Sequence, residues 1–155
     1  MVGVRFRRQG HEAATGLDCV GLVWAAYAAA GHRLVRPTDY PLRGWGREKV
    51  EAALRGAGFS EGEGSQLGDV ALFELPAGQF HLGLIGERSF VHAHAGLRRV
   101  VETPLGGGSG VRARWRLRTG SSRCDSGAGA HVSPTLPQAE GTGVYSGAVS
   151  WRLWC

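Results

Sequence analysis

The pattern of apolar residues changes at Gly68, and that change limits the folds open to this chain. Before it, residues 17–31 read Leu-Asp-Cys-Val-Gly-Leu-Val-Trp-Ala-Ala-Tyr-Ala-Ala-Ala-Gly. The segment is rich in alanine, opens on an aspartate suited to a helix N-cap and closes on a glycine, which predicts a buried helix starting at or just after Asp18. A second helix is predicted over about 46–55, where Val50, Ala53 and Leu54 share one face and Gly56 and Gly58 can stop it. Pro37 and Pro41 mark the loop between them. After Gly68 the chain turns to short apolar runs rich in β-branched and aromatic residues, bounded by Pro, Gly and charge. They predict strands at 69–75, 81–85, 89–94, 98–103 and 111–117. The tight Gly86-Glu87-Arg88 connection predicts a hairpin joining the second and third. Helices followed by an antiparallel sheet of about five strands make an α+β fold.

Length and composition narrow the reading. The 155 residues, 43% of them hydrophobic and 20% charged, suffice for one globular domain that buries about 70% of its unfolded surface. Beyond Leu117 the residues become rich in Gly and Ser without periodicity. The expected organisation is therefore a domain at 1–117 and a poorly ordered tail at 118–155, appended or frame-shifted. No run approaches the roughly 18–20 apolar residues of a membrane span, and the basic N-terminus lacks the apolar run of a signal peptide. A membrane-spanning chain is excluded, and synthesis in the cytoplasm is expected. The net charge of +5 comes almost entirely from arginine, Lys49 being the only lysine. Those arginines are spread from Arg5 to Arg152 and not clustered among aromatics, so no nucleic-acid partner is expected. Arg7-Arg8, Arg98-Arg99 and the alternation over 112–118 read as solvated faces. Cys19, Cys124 and Cys155 are odd in number, widely spaced and free of CxxC pairs. They suggest neither a disulfide scaffold nor zinc, but a reduced compartment and one reactive thiol.

The chemistry centres on Asp18-Cys19-Val20-Gly21-Leu22-Val23. A cysteine in the first turn of a helix meets free N–H groups and the positive end of the dipole, which favour thiolate. A lone cysteine is as often a small buried hydrophobe. Two later histidines shift that balance: His81 in Phe80-His81-Leu82-Gly83-Leu84-Ile85, and His92 in Ser89-Phe90-Val91-His92-Ala93. On neighbouring antiparallel strands they can lie side by side, one taking the thiol proton and the other fixing its tautomer. His94 points to the same face as His92 and ranks second for that role. Another reading joins Cys19, His81, His92 and His94 as a zinc site, but their spacing is not a finger pattern, and neither metal nor cofactor is expected.

At these residues the chain resembles the NlpC/p60 group of cell-wall peptidases. Leu17-Asp18-Cys19-Val20-Gly21-Leu22-Val23 is similar to the group's D-C-S-G-L-V helix start, and Leu67-Gly68-Asp69-Val70-Ala71-Leu72-Phe73 to its G-D-hydrophobic strand. His81-Leu82-Gly83-Leu84-Ile85 resembles H-V-G-I-Y, and Phe90-Val91-His92-Ala93 resembles F-I-H-A. The resemblance implies a papain-like domain with Cys19 as nucleophile, His81 as general base and His92 as the orienting residue. The reaction it implies is hydrolysis of peptidoglycan stem peptides, commonly between D-glutamate and a diamino acid, through a thioacyl-enzyme. Backbone N–H groups near Cys19 would meet the oxyanion. Arg8-Gln9-Gly10, the Val-Gly after Cys19, and Arg99-Val100-Val101-Glu102-Thr103-Pro104-Leu105 resemble the branch found in phage tail clusters and gene-transfer agents. That branch implies peptidoglycan and phage-like tail proteins as partners, with delivery to the wall in a particle.

The chain departs from the group in two places. Phe6, in Gly3-Val4-Arg5-Phe6, stands where a G-x-P-Y tyrosine is usual, and the helix usually preceding that element is expected to be missing. Both departures favour an alternative, a structural tail component that keeps the fold without turnover. Asp18 reads as a helix N-cap or as a contact to a substrate amine, and Asp69 as a residue fixing the start of its strand. The segments 33–46 and 56–66 are the expected substrate loops.

Overall fold

Helix α1 spans Cys19–Ala29 and starts where its cap dictates. Asp18, extended, accepts the Gly21 N–H on Oδ1 at 2.7 Å, satisfying one of the donors a helix start leaves unpaired. Gly31, at φ +89°, turns the chain out of the helix. Helix α2, Arg47–Gly56, buries Val50 and Leu54 and sets Arg47, Glu51 and Arg55 in an i, i+4 series on its outer face. The computed structural model describes residues 1–41, 45–75, 78–106 and 110–118. The expectations for the tail after Arg118 lie outside the described residues.

Residues ahead of α1 form a small ribbon of β1 (His11–Glu12) and β2 (Gly16–Leu17). Six further strands follow: β3 (Phe59–Glu61), β4 (Val70–Leu75), β5 (Gln79–Ile85), β6 (Ser89–His94), β7 (Arg99–Pro104) and β8 (Val111–Leu117). They make one antiparallel sheet in the order β3-β8-β4-β5-β6-β7. The expected five strands are present within two residues of their predicted ends, and the sheet gains β3. Three residues between Gly58 and Gly62 are too few to show a period, and the partner that makes them a strand is the distant β8. The N-terminus also differs from a helix-first order. Gly3 to Phe6 run along β7 through Gly3 N–H to Val100 O at 2.9 Å, Val100 N–H to Val4 O at 2.7 Å and Phe6 N–H to Arg98 O at 2.8 Å. This covers a sheet edge that would otherwise expose unpaired backbone groups. Phe6 packs on Leu17, Leu22, Ala93 and Val100.

The period of two sorts the sheet into two faces. Val70, Leu72, Leu82, Ala113 and Trp115 pack with Val20, Val23 and Trp24 of α1 and with Val50 and Leu54 of α2. Ala71, Phe73, Ile85 and Phe90 form a second cluster on the opposite face, with the Phe73 and Phe90 rings 4.4 Å apart. On β8 the expected alternation holds: Ala113 and Trp115 point inward while Arg112 and Arg116 pair outward with Glu74 and Asp69. Among the described residues no helix is long and apolar enough to cross a membrane.

Candidate active site

The site lies where β5 and β6 part. Their ladder pairs Ile85 with Phe90, Leu84 with Val91 and Gly83 with His92, and goes no further. Ile85 N–H bonds Asp69 O on the β4 side, while Gly86 N–H bonds Ser89 O on the β6 side. Backbone directions alternate, so Leu82 N–H also points toward β6, at a place where β6 no longer pairs. Cys19 packs against the cluster that includes Leu82, and the Leu82 N–H acts on its sulfur in the sense that favours thiolate. The helix-start cysteine and the residue beside His81 are thus brought together by a strand pair that stops early.

His81 and His92 meet on the second face. His81 Nε2 and His92 Nδ1 are 3.0 Å apart, with the rings edge to face at 5.2 Å between centroids. His92 is buried and its Nε2 lies 3.0 Å from Thr103 Oγ1 on β7. Direct contact to His81 therefore belongs to His92. His94 instead accepts Leu97 N–H on Nδ1 at 3.1 Å, closing its own turn. Among the described residues no cluster of His, Cys, Asp or Glu is arranged to hold a metal ion. Nor does a hydrogen bond join Cys19 to His81 there.

Other residues hold the helix start in place. Asp18 is spent on structure: Oδ1 caps Gly21, and Oδ2 accepts the Tyr40 hydroxyl at 2.8 Å. Tyr40 is buried and stacks on Trp45 at 5.1 Å, so these two aromatics brace the end of α1 that carries Cys19. The sequence showed no sign of this, because nothing in a loop tyrosine's spacing points to a particular carboxylate. Gly21 lets the Gly10 backbone lie directly on α1; an added Cβ would overlap the Gly10 carbonyl oxygen and come within 2.8 Å of His11 Cα. Leu22 N–H bonds Asp18 O. With Gly21 capped as well, the Cys19 and Val20 N–H groups remain at the helix start, where both favour the thiolate of Cys19. Asp69 accepts Gln66 N–H at 2.8 Å and a two-pronged Arg116 guanidinium at 2.9 and 2.8 Å, fixing the start of β4. The segment 56–66, expected to meet substrate, is in part strand β3.

Electrostatics reverse one expectation. Burial pushes the Cys19 thiol up to about 11, the Asp18 carboxylate adds to the rise, and the N–H groups of Leu82, Val20 and Cys19 offset only part of it. The helix start does stabilise thiolate, but loss of water outweighs it. Burial, then His92 and His94, push His81 down to about 3, and burial followed by His94 also lowers His92. Thiol and imidazoles are thus neutral near pH 7. Only the thiolate is alkylated, so iodoacetamide should label Cys19 about a hundredfold more slowly at pH 7 than a thiol at the ordinary value of 9.0. The rate should climb about tenfold per pH unit to near pH 11; a plateau reached below pH 8 would contradict this electrostatic balance.

No protein-family model and no curated protein matches the chain. Among solved structures, the NlpC/p60 domain of the peptidoglycan hydrolase SagA is similar, with a TM-score of 0.52 and 17% sequence identity. The match covers 75% of this chain and 89% of that one. The likeness is one of fold: the chain has the α+β, papain-like architecture of that domain.

Proposed function

We propose that this chain is a cysteine peptidase that hydrolyses peptide bonds in peptidoglycan stem peptides. The observation that carries this reading is the His81–His92 pair at 3.0 Å, one residue from Leu82, whose cluster Cys19 packs against. In the reaction, Cys19 Sγ attacks the scissile carbonyl carbon as its proton passes to Nδ1 of His81, the ring nitrogen left over from the His92 contact. The neutral thiol and imidazole make proton transfer part of the attack rather than a prior equilibrium. His81 then gives that proton to the leaving amine, and water cleaves the thioester with His81 again as base. The Cys19 and Val20 N–H groups, unspent on the helix, are the donors for the oxyanion.

The substrate follows from the motifs and the similar fold, since SagA is described as a peptidoglycan hydrolase. The bond proposed is that from D-glutamate to a diamino acid. Delivery to the wall with a phage-like tail, after synthesis in the cytoplasm, rests on Arg8-Gln9-Gly10 and on the run from Arg99 to Leu105. A second reading, a tail component without turnover, is favoured by the raised Cys19 thiol and its lack of a bond to His81. Defined muropeptides digested with the wild-type chain and read by mass spectrometry decide between them. Two fragments whose masses sum to substrate plus one water are expected. Muropeptides left intact after prolonged incubation would overturn the peptidase reading and support the second.

A further inference from the structure

We propose that Thr103 is a positioning residue of the site, accepting the His92 Nε2–H that must be present when Nδ1 of His81 takes the thiol proton. This rests on the peptidase reading above, and the residue falls at the unspecified x of the V-V-E-x-P-L-like run. Two neutral imidazoles sharing one hydrogen bond can be wired in two directions. In one, His81 Nε2–H donates to His92 Nδ1, which leaves His81 Nδ1 bare to receive the thiol proton and puts the His92 proton on Nε2. In the other, His92 Nδ1–H donates to His81 Nε2, and His81 carries its proton on Nδ1, where it cannot act as base. The first wiring needs an acceptor for His92 Nε2–H, and Thr103 Oγ1, 3.0 Å away, can accept it; the hydroxyl can also donate to a bare Nε2 in the second, so its acceptor role becomes obligatory only when His81 holds the thiol proton.

The acceptor matters because His92 is only 9% exposed, where an N–H without a partner is costly. It matters more once His81 has taken the thiol proton, since its Nε2–H must then donate to His92 Nδ1. Thr103 reaches His92 by register: β6–β7 pairs His92 with Val101 and Phe90 with Thr103, so Thr103 lies diagonally on the same face. Phe90, 4.7 Å from the His92 ring, packs the intervening side.

The test combines spectroscopy with kinetics. In long-range proton–nitrogen NMR of 15N-histidine protein at pH 7, wild-type His92 should show a protonated Nε2 and a bare Nδ1. Thr103→Val keeps the shape and removes the acceptor, so the proton should move toward Nδ1 and kcat for muropeptide cleavage should fall roughly tenfold with KM little changed. Thr103→Ser restores the oxygen and should restore both. A Val variant in which His92 keeps its Nε2 proton, or a Ser variant as altered as the Val variant, overturns the proposal. The NMR reading is taken without substrate. Wild-type protein with the assigned tautomer but no muropeptide cleavage would count against the peptidase reading, while the tautomer shift in Thr103→Val still judges Thr103.

Discussion

Cys19→Ala should lower release of stem peptides from purified murein by on the order of 10^4-fold or more, to the background without enzyme. The thioacyl-enzyme requires a nucleophile at this atom, and no other described cysteine is present to replace it. Cys19→Ser should be almost as inactive, because a hydroxyl is still harder to deprotonate than a thiol already pushed up to about 11. His81→Ala should approach the same floor, and the Cys19→Ala, His81→Ala double variant should be no worse than either single change, since the two act as a unit. The thiol rests neutral and alanine is only slightly smaller than cysteine, so its removal should move the thermal midpoint little. Assay of murein release beside a melting curve separates lost chemistry from lost structure. Release retained in Cys19→Ala would remove this residue from the mechanism.

Gly21→Ala should destabilise the folded chain by about 3 kcal/mol or more, lowering the thermal midpoint by roughly 10–20 °C. The new methyl would overlap the Gly10 carbonyl oxygen, a backbone atom with no rotamer through which to escape. Gly10 cannot yield either, because it is buried and a Cβ there would overlap Gly16 O; the β1–β2 ribbon sits on these glycines. Any shift that makes room must move the first turn of α1, and with it Cys19 and the Asp18 cap. Murein release should therefore fall with stability. A calorimetric midpoint within a few degrees of wild type would show that the ribbon can lift away from the helix. Gly31→Ala serves as contrast: its Cβ would meet nothing within 4 Å, though φ is +89°, so the cost there is backbone strain alone.

The helix from Cys19, the cap at Asp18 and the strands β6 and β8 were legible because each is specified by neighbours in the chain. An N-cap and its N3 amide are three residues apart, and a strand declares its faces by alternation within a few residues. The hairpin at Gly86 was short enough to put His81 and His92 on adjacent strands, and so their pairing was legible as well. Strand β3 and the segment from Gly3 to Phe6 were not, because backbone pairing with β8 and β7 leaves no mark on side-chain periodicity. That Thr103 shares a face with His92 follows only from the β6–β7 register, which pairs His92 with Val101. Tyr40 carried no sign of its bond to Asp18.

Local order thus wrote into the chain the helix start that carries a cysteine, the two strand histidines and the α+β sequence of elements, since capping, period and turn length act over a handful of residues. What needed the folded chain was the state and surroundings of those groups. The β5–β6 ladder stops at Gly83 and His92, Cys19 packs against the cluster that includes Leu82, and its burial outweighs the helix end and keeps the thiol protonated. Thr103, Asp18 with Tyr40, and the Gly10–Gly21 contact likewise depend on how separate segments pack together. Desolvation is a property of everything packed around a group, and no local pattern encodes it.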